Sequence, residues 1–148
     1  MTRFLSKTKD VTIPTPRDPE RELTVSVTPN KVKRIVSVFT DSLNDCEWCH
    51  DFYAIRQDSA ADSLLSYIEY NGDFKLTDRD GDVYVISTEQ IVTAVFEAYK
   101  YCVLHNYREI KRYPNYTVTP RFSDIVVQFA VYGSVIYYNS YDERGYCA

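Results

Sequence analysis

The chain has 148 residues, of which 45% are hydrophobic and 26% charged, and its formal net charge is −4. That length fits one domain able to enclose a core, and the composition is that of a globular protein, not a disordered or fibrous one. No run approaches the roughly 18 apolar residues a membrane span needs, and residues 1–10 hold no apolar signal-peptide core, so the expected setting is a reducing cytoplasm with no membrane partner.

Taken in chain order, residues 1–21 mix Lys7, Lys9, Arg17 and Arg21 with Pro14, Pro16 and Pro19 and show no apolar period. They read as a flexible basic arm, extended because each residue before a proline is pushed out of the helical region. The folded domain is expected over 22–148. Leu23, Val25 and Val27 alternate with polar residues, which predicts a strand. Thr28-Pro29 predicts a helix N-cap followed by Pro at the first helical position. Val32, Ile35, Val36 and Phe39 then keep a helical period that continues to Leu43. The segment 46–55 is expected to extend that helix or to form a second one, with Trp48, Phe52 and Ile55 inward.

Leu64, Leu65 and Ile68 predict a short helix that ends at Asn71-Gly72, with Gly as the left-handed cap. A hairpin follows, with Phe74 and Leu76 on one arm, Val83 and Val85 on the other, and Asp80-Gly81 at the turn. Asp78 to Asp82 has a calcium-loop flavour, but Leu76 occupies the first ligand position, so a hairpin turn is the better account. Ser87 and Gln90 have capping-box spacing, and Ile91, Val95, Ala98 and Cys102 mark the buried face of the next helix. The Tyr- and Arg-containing segment 106–120, with Pro114 and Pro120, reads as a loop. Ser123 is expected to cap a last helix, with Asp124 favourable near its positive end and Gly133 stopping it. Val135 to Tyr138 are expected to form a terminal strand. The predicted fold is therefore α+β: about four helices on a small antiparallel sheet with one hairpin.

The run from Ser123 to Tyr138, an Asp-containing helix with Val-Gln-Phe-Ala followed by Tyr-Gly and a short apolar stretch, resembles the C-terminal end of small bacteriophage accessory proteins. Ile35 to Trp48, and Asp82 to Ile86 with the helix at 88–100, are similar to the same proteins. The likeness spans roughly 29–138. Asn44-Asp45-Cys46-Glu47 departs from it, since a Gly-containing turn is more usual there. The resemblance implies a viral accessory context in a host bacterial cytoplasm and carries no shared activity.

Charge is segregated along the chain. Residues 1–40 hold eight Lys/Arg against four Asp/Glu, residues 41–97 three against 13, and residues 98–148 six against four. The acidic block suits a partner with a basic surface, because spaced carboxylates compete with nucleic-acid phosphates and speed docking on a cationic face. Small phage inhibitors of restriction and CRISPR nucleases often have this character. The residues expected to meet a partner are Asp41, Asp45, Glu47, Asp51, Asp73, Asp78, Asp80, Asp82 and Tyr84. The 14 Tyr supply amphipathic anchors. The alternative account of the acids is ordinary solvation of helix faces and turns.

Cys46-Glu47-Trp48-Cys49-His50 matches the c-type haem attachment pattern, but no export signal or Met ligand accompanies it. A zinc site from Cys46, Cys49, Cys102 and His105 would satisfy tetrahedral chemistry, although more than 50 residues separate the two pairs. The preferred account is packed free thiols, with no cofactor. No Ser-centred elbow, phosphate loop or Gly-rich dinucleotide turn occurs among only four Gly, and His50 and His105 are the sole imidazole bases. The expected function is therefore non-enzymatic: inhibition of a host nucleic-acid-processing or defence complex, protein or ribonucleoprotein, by a monomer or homodimer that does not itself bind DNA. The alternatives are a virion or scaffold protein that self-associates through 134–138 and the 106–116 loop, and a zinc-binding interaction module.

Overall fold

The computed structural model describes residues 9–15, 18–56, 64–110, 118–138 and 140–147, with backbone alone for 9–25 and 110. β1 (Lys9–Thr15) and β2 (Asp18–Val27) pair antiparallel from Lys9↔Val27 to Pro14↔Glu22, with an irregularity at Pro14/Thr15. The prolines do keep this part of the expected arm extended. A two-stranded ribbon is all edge, so a residue without an N–H can face away from the ladder at no cost in pairing. The arm differs from expectation in being strand over 9–15 and 18–21, with 9–15 and Asp18 paired, and the expected boundary at 22 falls inside β2. Residues 1–8, 16 and 17 lie outside the described residues.

α1 (Pro29–Asp41) begins as its sequence predicts: the Thr28 hydroxyl accepts from the Lys31 amide at 3.1 Å, and Val32, Ile35, Val36 and Phe39 are buried. A 3-10 turn at Leu43–Asp45 ends it. The next segment corrects the sequence reading. It is not helical but a strand, β3 (Cys49–Ala54), with Trp48 and Phe52 buried and Ile55 exposed. The register shifts between Cys49↔Asp78 and Asp51↔Thr77, so His50 is the extra residue of a bulge. That bulge spaces the inward residues Cys49 and Phe52 three apart, which on paper imitates one helical turn.

α2 (Leu64–Glu69) buries Ile68. The left-handed residue after it is Asn71 (φ 60°), not Gly72. Gly72 is required for a different reason: a Cβ there would stand 2.2 Å from the Tyr67 ring. β4 (Asp73–Asp78) and β5 (Val83–Ser87) form the expected hairpin, with Gly81 at φ 87°, and β4 is central in the order β3-β4-β5. α3 (Thr88–Leu104) carries the complete Ser87/Gln90 capping box and buries Ile91, Val95, Ala98 and Cys102. A second 3-10 turn spans Arg108–Ile110, and residues 111–117 of the expected loop lie outside the described residues.

α4 (Pro120–Tyr132) starts four residues earlier than expected. Its cap is Thr119, followed by Pro120, the same pair type that opens α1. Ser123 is a fully buried helical residue, and Gly133 (φ 74°) stops the helix as predicted. Residues 135–138 are not a strand. Gln128 replaces a ladder partner: its carbonyl oxygen accepts from the Ile136 and Tyr137 amides at 2.9 Å, and its Nε2 donates to the Tyr137 carbonyl at 2.9 Å. Self-association through a terminal strand thus loses its structural basis.

The fold is a compact α+β domain with four α-helices and a small antiparallel sheet. The helices cover one face of that sheet, where Phe52, Phe74, Leu76 and Ile86 join Phe39, Ile91, Val95, Phe122 and Val126 in a continuous core. Among the described residues nothing covers the other face.

Candidate interaction surface

The site is built around the turn from Asp78 to Asp82. Asp78 is only 3% exposed. Its Oδ1 accepts from the Asp80 and Asp82 amides, each at 2.9 Å, and the Tyr132 hydroxyl donates to its Oδ2 at 3.2 Å. Its amide donates to the Asp82 carbonyl at 2.9 Å. A carboxylate that accepts two backbone N–H groups is an Asx-type clamp. Burial, and then the Asp78 charge, push the Tyr132 phenol above its ordinary range, so it remains a donor. Asp78 is therefore not a contact residue, as its sequence position suggested. It spends its oxygens holding the turn, and the turn aims Asp80 and Asp82 into solvent, where both are exposed.

The Arg79 amide donates to the Trp48 carbonyl at 2.8 Å and its Nη2 to the Cys46 carbonyl at 3.0 Å, tying the turn to the loop before β3. Glu47 in that loop is exposed. A cleft of about 330 Å³ lies between them, lined by Glu47, Trp48, Arg79, Asp80, Tyr137 and Tyr138. Its aromatic wall is rigid, since Trp48 stacks on Tyr137 with centroids 5.7 Å apart and 2° between planes. Glu47, Asp51, Asp80 and Asp82 thus gather at one end of the sheet. Asp45, exposed, directly precedes Cys46, and Asp41 ends α1 nearby in sequence. Asp73 does not join them. It begins β4, five residues from Asp78, or about 17 Å along an extended strand. Tyr84 faces inward instead, edge-on to Tyr132 with centroids 5.3 Å apart.

The open face of the sheet carries Tyr53, Val83 and Val85, each more than 40% exposed, with Lys75 between Tyr53 and Val85 in the cross-strand register. Asp51 on β3 and Asp73 on the central strand β4 stand toward opposite ends of this face. Exposed apolar side chains with carboxylates at the rim make this face a candidate docking surface.

The Cys/His set is not brought together. Among the described residues no group of three metal-ligating side chains forms. Cys46 and Cys49 pack beneath β3, and the Cys49 thiol donates to the Asp51 and Thr77 carbonyls at 3.5 and 3.8 Å. Cys102 is fully buried in α3 beside Glu109 and Arg121, whereas His105 caps that helix in the open, tilted 33° against Tyr101 with centroids 4.1 Å apart. Burial, reinforced by Cys46, pushes the Cys49 thiol up to about 12, and burial raises Cys102 further still. A thiol whose folded value exceeds its unfolded value of 9.0 adds stability that is complete below pH 9 and lost as pH rises toward 12. Chemical denaturation at pH 8 and pH 10.5 should therefore show a loss at the higher pH that is smaller in Cys49→Ala.

Sequence reasoning missed two buried polar networks. In one, Arg121 Nη2 and Nε grip Glu109 at 2.6 and 2.8 Å, the guanidinium lies 3.8 Å over the Tyr107 ring, and the Thr119 hydroxyl donates to the same carboxylate at 2.9 Å. Gly145 (φ 91°) completes it, because a Cβ there would stand 2.6 Å from Glu109 Oε2. In the other, Asp124 accepts from Trp48 Nε1 at 2.7 Å, Gln128 Nε2 at 3.0 Å and the Tyr141 hydroxyl at 2.6 Å. The Thr119-Pro120 pair was a readable signal for α4. Nothing local marks Asp124 or Glu109 as buried.

No protein-family model matches the chain, and no curated protein or solved structure does either.

Proposed function

We propose that the chain is a non-enzymatic interaction protein that docks its acidic, tyrosine-containing surface on a basic face of a host nucleic-acid-processing or defence complex and blocks it. The observation that carries this reading is the buried Asp78 clamp. A fold that commits a buried carboxylate to fixing one turn presents Asp80 and Asp82 in a set geometry, next to Glu47 and the apolar sheet face. Fixed charge costs less entropy on binding than charge on a mobile loop. The raised Cys49 and Cys102 thiols are poor nucleophiles at neutral pH, in keeping with a binding role. The proposed setting, a viral protein acting in a bacterial cytoplasm, rests on the resemblance of residues 29–138 to phage accessory proteins read from the sequence. Among the described residues no helix is long and apolar enough to cross a membrane.

Reversing both exposed charges, as D80K/D82K, should weaken binding to the target complex by on the order of tenfold at low salt and flatten its salt dependence. Asp78 stays in place, so the fold is untouched. Affinity that is equal in both proteins at every salt concentration would remove the acidic turn from the interface.

A further inference from the structure

β5 is an edge strand, and its ladder phase fixes which backbone groups are spare. The Asp78 amide donates to the Asp82 carbonyl at one end of the hairpin, and the Thr88 amide donates to the Gly72 carbonyl at the other. Hydrogen-bonded and non-bonded pairs alternate in an antiparallel ladder, so Leu76↔Tyr84 and Phe74↔Ile86 are the bonded pairs. The N–H and C=O groups of Val83 and Val85 therefore point away from β4. Among the described residues no strand lies on that side of β5. Val83 and Val85 are 54% and 57% exposed, the largest values for any aliphatic residue of the sheet.

Exposed hydrophobic edges are ordinarily blunted by Lys, Pro or a bulge, and β5 has none of these. The exposed charges at its two ends are mainly acidic, Asp80 and Asp82 at the start and Glu89 just past the end, while Arg79 is turned to the Cys46 carbonyl and Lys75 lies beside Val85 on β4. The acidic excess at both ends disfavours a second β5 as the natural occupant. Two copies paired antiparallel would set Glu89 of each against the Asp80/Asp82 turn of the other, acid on acid.

We propose that β5 accepts an extended, basic segment of the partner as a fourth strand of the sheet. Alternate apolar residues of that segment would lie beside Val83 and Val85, and its flanking Lys or Arg would meet Asp80, Asp82 and Glu89. Main-chain bonds would supply affinity and the end charges orientation and selectivity, as in other strand-addition complexes. The proposal rests on the acidic docking surface above and adds how and where it engages.

The probe is a nine-residue peptide with alternating Val and Thr at its centre and Lys-Arg at both ends, compared with the same peptide ending in Asp-Glu. On saturation with the basic peptide, amide exchange at Val83 and Val85 should slow by at least about tenfold, as for newly bonded amides. The acidic-ended peptide should bind at least about tenfold more weakly. Val85→Pro removes an edge donor but no bond to β4, so it should keep the melting temperature and lose the peptide, whereas Val85→Thr should keep both. Salt-sensitive binding that leaves both amides exchanging freely, or that survives in a folded Val85→Pro protein, overturns strand addition while the acidic docking stands. Absence of binding, or equal binding of the two peptides, overturns both.

Discussion

Asp124→Ala should lower the unfolding free energy by about 3–5 kcal/mol, a large part of the total for a domain of this size. The effect is not that of one lost bond. Asp124 is 3% exposed, and its two oxygens receive Trp48 Nε1, Gln128 Nε2 and the Tyr141 hydroxyl. Alanine leaves the indole as a buried donor, costing about 1–3 kcal/mol when unpaired, and removes the Tyr141 bond as well. It also releases Gln128, whose amide holds the 135–138 segment in place of a strand. Tyr137 in that segment stacks on Trp48, so the aromatic wall of the cleft should loosen with the fold. Asp124→Asn keeps one acceptor oxygen and should lose less than half as much. Urea denaturation followed by Trp48 fluorescence measures both, since Trp48 is the one Trp in the chain. A loss below about 1 kcal/mol for Asp124→Ala would mean that water replaces the carboxylate freely, contrary to its burial.

Arg121→Leu should cost a similar amount, about 3–5 kcal/mol, for an electrostatic reason. Glu109 is 2% exposed, and Arg121 provides both of its charged contacts, at 2.6 and 2.8 Å. Removing the cation strands a buried carboxylate. The Asp142 and Glu143 carbonyls, each 3.4 Å from the guanidinium, would lose their donor as well. The test is a double-mutant cycle. Glu109→Gln/Arg121→Leu should recover much of the loss, because a neutral amide can keep the Thr119 bond without a buried charge. Equal losses in the single and double variants would instead make the cost one of packing over Tyr107.

Much of the fold was legible because it is set locally. Thr28-Pro29, Ser87 with Gln90, Asp80-Gly81 and Gly133 each act within four residues, and each lies where the sequence placed it. The errors share a cause. Residues 46–55 read as helix because Trp48, Phe52 and Ile55 stand four and three apart, yet Ile55 is exposed, Trp48 precedes the strand, and the His50 bulge breaks the alternation. Residues 135–138 read as strand because nothing in that stretch shows that a side chain, Gln128, replaces its ladder. Ser123-Asp124 imitated a helix cap while the true cap, Thr119, stood before Pro120.

The candidate surface was half legible for the same reason. Counting charge finds an acidic block but does not distinguish a clamp from a contact. Asp78, Asp80 and Asp82 are chemically identical in sequence, and only the fold turns the first inward and the others out. Asp73 and Asp51 belong to one block in the chain but lie toward opposite ends of the sheet. The four Cys/His residues, close enough in chemistry to suggest zinc, are separated because Cys102 faces the helical core while His105 faces solvent.

The measurement that bears most directly on the docking claim is a paired pull-down from lysate of a bacterial host, with wild-type and D80K/D82K proteins as baits and washes at low and high salt. Docking through the acidic turn predicts a nuclease or other nucleic-acid-processing complex that the wild type retains at low salt, releases at high salt, and that the reversed bait does not retain at all. Capture of the same complex by both baits, or its retention through the high-salt wash, would contradict electrostatic docking by this surface.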